Sequence, residues 1–203
     1  MVAAESTPSN LGCAILGLLA RRSRTGYDLA RLMRIPVGYF WTARHSQIYP
    51  ELSRLEDAGL VRHDVVPGAG PRPTKRYDIT PAGRAALRSW VASELDPQPV
   101  RDLATLRLWS VWVVAPDVAR GLVLRILQLR RDALATYETE LAGIAEDPRT
   151  HDPSHPLFAS ALTLEGAVRS ARAAVEWCEW MLERLPAQDT GTAAMSSSGA
   201  GAR

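Results

Sequence analysis

Two short segments constrain this chain more than anything else in its 203 residues. The first runs Ser46-Gln47-Ile48-Tyr49-Pro50-Glu51-Leu52-Ser53-Arg54-Leu55-Glu56-Asp57-Ala58-Gly59-Leu60-Val61. The second runs Arg72-Pro73-Thr74-Lys75-Arg76-Tyr77-Asp78-Ile79-Thr80-Pro81-Ala82-Gly83. Ser46 is a natural N-cap, and Pro50 is tolerable only near a helix start, so a helix is expected to begin at residue 46 or one later. Ile48, Leu52 and Leu55 recur at helical spacing and face a core. That leaves Gln47, Tyr49, Pro50, Ser53 and Arg54 on the outer side. Gly59 suits the left-handed residue that closes a helix. Residues 61–66 and 74–79 read as strands around a Gly/Pro turn, and Thr80 followed by Pro81 starts another helix. Helix, strand, basic loop, strand is the layout of a winged helix-turn-helix.

The residues on either side extend that layout. Asn10 is expected to cap a helix to about residue 20, with Leu11, Ile15, Leu18 and Leu19 inward. Residues 23–25 read as a break. Thr25 then caps a second helix, about residues 26–35, with Asp28 as its acidic partner and Tyr27, Leu29, Leu32 and Met33 as its apolar side. Pro36 and Gly38 end it, and Tyr39-Phe40-Trp41 reads as packing under a loop. Beyond Thr80, a stripe of Leu87, Trp90, Val91 and Leu95 completes the domain. Asp96-Pro97-Gln98-Pro99 reads as a linker.

The second half is helical. Leu103, Leu106, Trp109 and Val113 form one stripe on a helix ending before Pro116. In a long helix at about 117–146, Val123, Leu127, Leu134, Tyr137, Leu141 and Ile144 follow a heptad frame that Arg130 interrupts once. A polar loop with three prolines precedes the last helix, about 157–185. There Leu157, Ala161, Leu164, Val168, Ala171, Val175, Cys178, Leu182 and Leu185 alternate spacings of four and three. Helices with such narrow seams pair with another copy or another part of the same protein. Leu157, Leu164, Val168, Ala171, Val175 and Leu182 are therefore expected at a homodimer interface. Trp109, Trp112, Trp177 and Trp180 are candidates to line a cavity for a flat aromatic ligand. The expected fold is mainly α with a small β-wing: a winged helix-turn-helix plus a C-terminal antiparallel helical dimerisation domain. The boundaries are a tail at 1–9, the winged domain at 10–95, a linker at 96–100, the helical domain at 101–186 and a second tail at 187–203.

Charge supports two domains of different character. Residues 1–95 carry 13 Arg/Lys against 8 Asp/Glu, a net of +5, and the remainder carries 11 against 14, a net of −3. Cys13 and Cys178 sit in apolar helical patterns and read as reduced, buried thiols. No apolar run approaches membrane-spanning length, and residues 11–20 lack the basic leader of a secretion signal, so a cytoplasmic location is expected. His151 and His155 have metal-ligand spacing but sit among prolines. No nucleophile elbow, P-loop or dinucleotide glycine pattern is present, and neither an enzyme nor a cofactor or metal is expected.

At these residues the chain resembles the PadR family of bacterial transcriptional regulators, in its longer form with a helical C-terminal domain. The resemblance rests on Ile15-Leu16-Gly17-Leu18-Leu19, Gly26-Tyr27-Asp28-Leu29, Phe40-Trp41, Ser46-Gln47-Ile48-Tyr49-Pro50, Leu52, Arg54-Leu55-Glu56, Gly59-Leu60-Val61, Arg72-Pro73, Lys75, Tyr77, Ile79-Thr80 and Gly83. It implies a homodimer with interlocking C-terminal helices, and a repressor released from its promoter by a small molecule, phenolic acids and drug-like aromatics being the family's effectors. Ser23 and Pro71 depart from the family pattern, which often has proline and glycine there.

A helix docked in the major groove of double-stranded DNA would read it through Gln47, whose amide both donates and accepts. Ser46, Tyr49 and Arg54 would bond phosphates or bases, Arg44 would hold phosphate, and Arg72 and Lys75 with Arg76 would contact backbone or minor groove from the wing. Lys75 and Arg76 point to opposite faces of their strand, so one of the two is the weaker candidate. The alternative is a winged helix serving only as a protein–protein adaptor.

Overall fold

The computed structural model describes residues 8–34, 41, 44–67, 73–95 and 101–186. Apart from Pro8 and Ser9, the expected tails, the linker, Pro36, Gly38, Tyr39, Phe40, Pro71 and Arg72 lie outside these residues. The chain divides into two compact units, Met1–Gln98 and Pro99–Arg203.

The first unit runs α1 (Asn10–Arg21), β1 (Arg24–Thr25), α2 (Gly26–Leu32), α3 (His45–Asp57), β2 (Val61–Val66), β3 (Thr74–Ile79) and α4 (Pro81–Val91). Ser9, not Asn10, caps α1, its Oγ accepting from the Gly12 amide at 3.0 Å. The expected break at 23–25 contains β1, which pairs antiparallel with β3 and makes a three-stranded sheet of order β1-β3-β2. Two residues are too few for any period to show. The capping box is present: Thr25 Oγ1 accepts from the Asp28 amide, and the Asp28 carboxylate accepts from the Thr25 amide. Hydrogen bonding from the Thr25 hydroxyl, then from its amide, holds the Asp28 carboxyl below its ordinary range against the opposing effect of burial.

Tyr27 corrects one expectation. It is 69% exposed, because α2 turns Leu29, Ala30 and Met33 inward instead. A second correction concerns the start of α3, where Ser46 is not the cap. The helix begins at His45 with Arg44 at the N-cap, and Gln47, three residues on, reaches back so that its Oε1 accepts from the Arg44 amide at 3.0 Å. Pro50 thus lies deeper in the helix than expected, at the cost of the bond that its position would give to the Ser46 carbonyl.

Ile15, Leu16, Leu19, Leu29, Met33, Ile48, Leu52, Leu55, Val61 and Tyr77 form one buried cluster on which helices and sheet close. Gly59, at φ 70°, ends α3 as expected. Thr80 then ties three elements together. Its amide donates to the Leu60 carbonyl at 3.0 Å, its hydroxyl donates to the Gly59 carbonyl at 2.7 Å, and its Oγ1 caps α4 by accepting from the Gly83 amide. Leu87 of α4 reaches the core, but Trp90 and Val91 are exposed and Leu95 lies past the helix end. The expected four-residue stripe is therefore covered at one end only.

The second unit runs α5 (Leu103–Trp109), a 3-10 turn (Val111–Val113), α6 (Pro116–Ala145), a second 3-10 turn (Pro148–His151) and α7 (Pro156–Arg184). The first helix expected here stops at Ser110, and Leu103, Leu106, Trp109 and Val113 all stand exposed. The two long helices pack antiparallel: Arg120 donates to the carbonyls of Leu182 and Leu185, Arg131 pairs with Glu179, and Arg172 pairs with Glu138. Val123, Ile126 and Leu127 meet Val175 and Cys178 at the centre of their seam. Arg130, the interruption in the heptad frame, pairs with Asp102, the residue that caps α5, at 3.5 Å. The charge in the seam thus stands beside the start of a third helix.

The seam expected at a second copy is covered in part within the chain. Leu164, Val168, Ala171 and Val175 are buried, and Leu157 and Leu182 half-buried, within the single chain. Val175 and Leu182 pack against α6, so that seam already has an internal partner. His155 caps α7, its Nδ1 accepting from the Leu157 amide, and no cluster among the described residues could hold a metal ion. No described helix is long and apolar enough to cross a membrane.

Candidate nucleic-acid interface

The physical basis of the interface is the two-sided character of α3. Ile48, Leu52 and Leu55 are buried, as their spacing requires, and they anchor the helix to α1, α2 and the sheet. Arg44, Ser46, Gln47, Tyr49, Pro50, Ser53 and Arg54 are exposed on the other side. Tyr49 lies across Gly26 at the start of α2, where an added Cβ would come within 2.6 Å of the ring. His45 stacks obliquely on Tyr49, ring centres 5.8 Å apart. Tyr27 is exposed on the first turn of α2, one residue from that contact. It is a polar aromatic that sequence reasoning placed on the apolar side of its helix.

Gln47 is exposed, but its Oε1 is engaged by the Arg44 amide. Its amide nitrogen remains as an outward donor. Bidentate pairing with an adenine edge needs both atoms, so it would use the second lone pair of an Oε1 that already holds the Arg44 amide. Arg44 supplies no side-chain cap.

The wing separates its two basic candidates. β2 and β3 pair with Val65 opposite Lys75 and Asp64 opposite Arg76. Lys75 shares a sheet face with Tyr77, which is buried under the helices, whereas Arg76 projects from the other face beside Asp64 and Thr25. Lys75 has the side of the sheet that carries α3, and it has no acidic cross-strand neighbour. Arg76 is the weaker candidate.

The field around the short strand β1 is positive. The Arg24 guanidinium is pushed below its ordinary value by burial first, then by Arg22, with Arg31 and Arg21 adding and Asp28 opposing. Its buried Nε has no hydrogen-bond partner. In the row of side chains beside it, Tyr77 is buried and lies 5.7 Å from the His63 ring, and His63 contacts Glu56 of α3. Burial, then Glu56, raises the Tyr77 phenol. Cys13 and Cys178 are free and buried. Burial, then Glu51, pushes the Cys13 thiol up to about 11, so neither the position nor the acidity suits a nucleophile.

The four tryptophans lie in the second unit. Trp109 is 82% exposed and Trp112 nearly as much, while Trp177 and Trp180 are about half-exposed, and no ring contact joins any two of them. Arg101, Asp102, Leu103, Thr105, Leu106 and Trp109 line an open groove of about 590 Å³ along α5. Trp180 instead stacks under the Arg184 guanidinium at 3.7 Å.

A helix with a bare polar face, held beside a basic two-stranded wing, defines a winged-helix regulator of transcription. The chain belongs to the PadR-like family of transcriptional regulators, which matches residues 15–89, and residues 100–186 match the C-terminal domain named for virulence activator alpha. It is 32% identical over 187 residues to Rv1176c of Mycobacterium tuberculosis, described as a probable transcriptional regulator, covering 85% of this chain and 95% of that one. To the negative transcriptional regulator PadR of Bacillus subtilis it is 29% identical over 173 residues, with the same coverage of both. The crystal structure of that PadR with operator DNA covers 87% of this chain and 99% of its own, at a TM-score of 0.78 and 29% identity. The complex with p-coumaric acid gives a TM-score of 0.71 at 28% identity, covering 86% and 94%.

Proposed function

We propose that this chain is a homodimeric repressor that grips a palindromic operator with two copies of α3 and the wing, and leaves it when a small aromatic molecule binds the second unit. The observation that carries this is the exposed polar face of α3 beside Lys75. Operator DNA bound to a PadR of the same architecture supports it. Gln47 reads a base, Ser46, Tyr49 and Arg54 bond bases or phosphates, and Arg44, Arg72 and Lys75 hold backbone, with Arg76 contributing least. Regulation, not catalysis, is the role, and its place is the cytoplasm, where the operator is.

Self-association falls to surfaces other than the α6–α7 seam. Leu103, Leu106, Trp109, Leu129 and Leu162 are all more than half exposed, an apolar load that a second copy would cover. Two-fold symmetry then matches two half-sites.

The decisive experiment combines sedimentation with binding isotherms on operator and scrambled duplexes at several salt concentrations. Gln47→Ala is expected to relax base preference by about 1–3 kcal/mol. Lys75→Ala is expected to weaken both duplexes alike and to lower the salt slope by about one. Equal losses on both duplexes for Gln47→Ala would take it out of the specificity role. A monomer that ignores duplexes at low salt would end the proposal.

The complex of the relative with p-coumaric acid supports the effector reading, and Trp109, Trp112, Trp177 and Trp180 are the side chains offered for it. Moving the protein from mostly bound to mostly released requires roughly 10⁴-fold preference for one state. Any compound that releases the operator is expected to alter tryptophan emission. A releasing compound that leaves emission unmoved removes these four residues from the effector site.

A further inference from the structure

We infer that Glu51 sets specificity: its buried carboxylate holds Arg54 in place on the outer face of α3 and withholds that guanidinium from phosphates of arbitrary sequence. The inference rests on the proposed entry of α3 into DNA.

Glu51 is 5% exposed, on the inner side of the helix whose outer side meets solvent. A carboxylate so placed needs partners. Oε1 accepts from Ser9 Oγ at 2.6 Å, and Oε2 accepts from Arg54 Nη1 at 3.2 Å. The Ser9 hydroxyl is used twice, since it also accepts from the Gly12 amide as the cap of α1. A Cβ on Gly12 would stand 2.7 Å from Glu51 Oε1, so the carboxylate lies against the first turn of α1. The unbonded amides of a helix start favour an anion there. One side of the carboxylate is therefore fixed by α1 and the other carries Arg54.

Arg54 is the opposite case: 76% of its side-chain surface is exposed. A pair of two exposed charges would fix little. Here one partner is buried and anchored, so the guanidinium has a defined place. The pairing offsets its charge, and its remaining donors have no partner among the described residues. Such a group contributes little to a search for phosphate, which depends on charge. It still bonds an acceptor that stands at the right place in the groove, which only some sequences supply.

The test uses the full chain, an operator duplex obtained by selection from random pools, and a scrambled duplex. Glu51→Gln is expected to raise affinity for the scrambled duplex on the order of fivefold to tenfold near 0.1 M salt, and to steepen its salt slope by about one, as one added phosphate contact would. The operator gains less, so the ratio between duplexes falls. The same substitution made on top of Arg54→Gln changes neither slope. Arg54→Gln alone lowers operator affinity about tenfold and leaves the scrambled slope as in the wild type, and it decides the matter if Glu51→Gln does not fold. A scrambled slope that drops by one in Arg54→Gln overturns the inference, because Arg54 would then already sit on phosphate. So does a folded Glu51→Gln protein that binds the scrambled duplex as the wild type does, or loses both duplexes equally. A wild-type chain that binds no duplex ends the proposed function itself, whereas one that binds normally while these variants disagree ends only the role of Glu51.

Discussion

Replacing Gly83 by alanine is expected to cost the first unit about 3 kcal/mol or more, and DNA binding with it. An added Cβ would stand 2.1 Å from the Leu60 carbonyl oxygen, 3.0 Å from its carbon and 2.9 Å from Ile79 Cγ1. The obstacle is backbone, so no rotamer relieves it. Nor can the carbonyl swing away, because it accepts from the Thr80 amide and follows the left-handed Gly59. The helix α4 would have to lift from Leu60, breaking the bonds that Thr80 donates to the Gly59 and Leu60 carbonyls. Urea denaturation followed by circular dichroism measures the loss. Gly143→Ala is the control: nothing lies within 4 Å of its added methyl, and in a helix it should gain stability of about 1 kcal/mol. A wild-type midpoint for Gly83→Ala would place α4 farther from Leu60 than described.

The second large effect is expected at Leu127. Truncation to alanine should destabilise the second unit by about 2–5 kcal/mol. Leu127 is buried at the centre of the α6–α7 seam with Val123, Ile126, Val175 and Cys178. The seam is narrow, so few other apolar side chains can move in to fill the cavity. Leu129 is the comparison, two residues along the same helix and mostly exposed. Leu129→Ala should leave folding within about 0.5 kcal/mol of the wild type and weaken self-association measured by sedimentation. Leu127→Ala with unchanged stability, or Leu129→Ala with an unchanged monomer–dimer equilibrium, would reverse the division drawn between internal seam and outer face.

Much of the first unit was legible because its signals are local. The helix end at Gly59, the paired strands, the capping box of Thr25 and Asp28, and Thr80 with Pro81 each depend on neighbours within a few residues. The outer face of α3 was legible for the same reason, since Ile48, Leu52 and Leu55 place the rest by subtraction. Where two local signals compete, the wider structure decides between them. Ser46 is a better capping residue than Arg44, but Gln47 as an acceptor for the Arg44 amide moved the helix start one position. The two-residue strand β1 exists only through β3, more than fifty positions away.

The second unit shows the limit of periodicity. Its seams were visible, and their lengths nearly right, because an apolar repeat reports that a face is covered. A repeat does not say what covers it. Val175 and Cys178 turn to α6 of the same chain, and an exposed apolar load remains at Leu103, Leu106, Trp109, Leu129 and Leu162. The stripe of Leu103, Leu106, Trp109 and Val113 had the right spacing and no internal partner.

Residues close along the chain therefore settled where helices and strands begin and end, which family they compose, and which face of α3 looks outward. The surroundings of Glu51, Arg130 and Gly26 come from groups that only folding brings near: Ser9, 42 positions before Glu51, Asp102 at the start of another helix, and the ring of Tyr49. The cause is the reach of the forces. Backbone geometry and capping act over one turn, whereas the cost of burying a charge or an apolar face depends on which distant surface arrives to meet it.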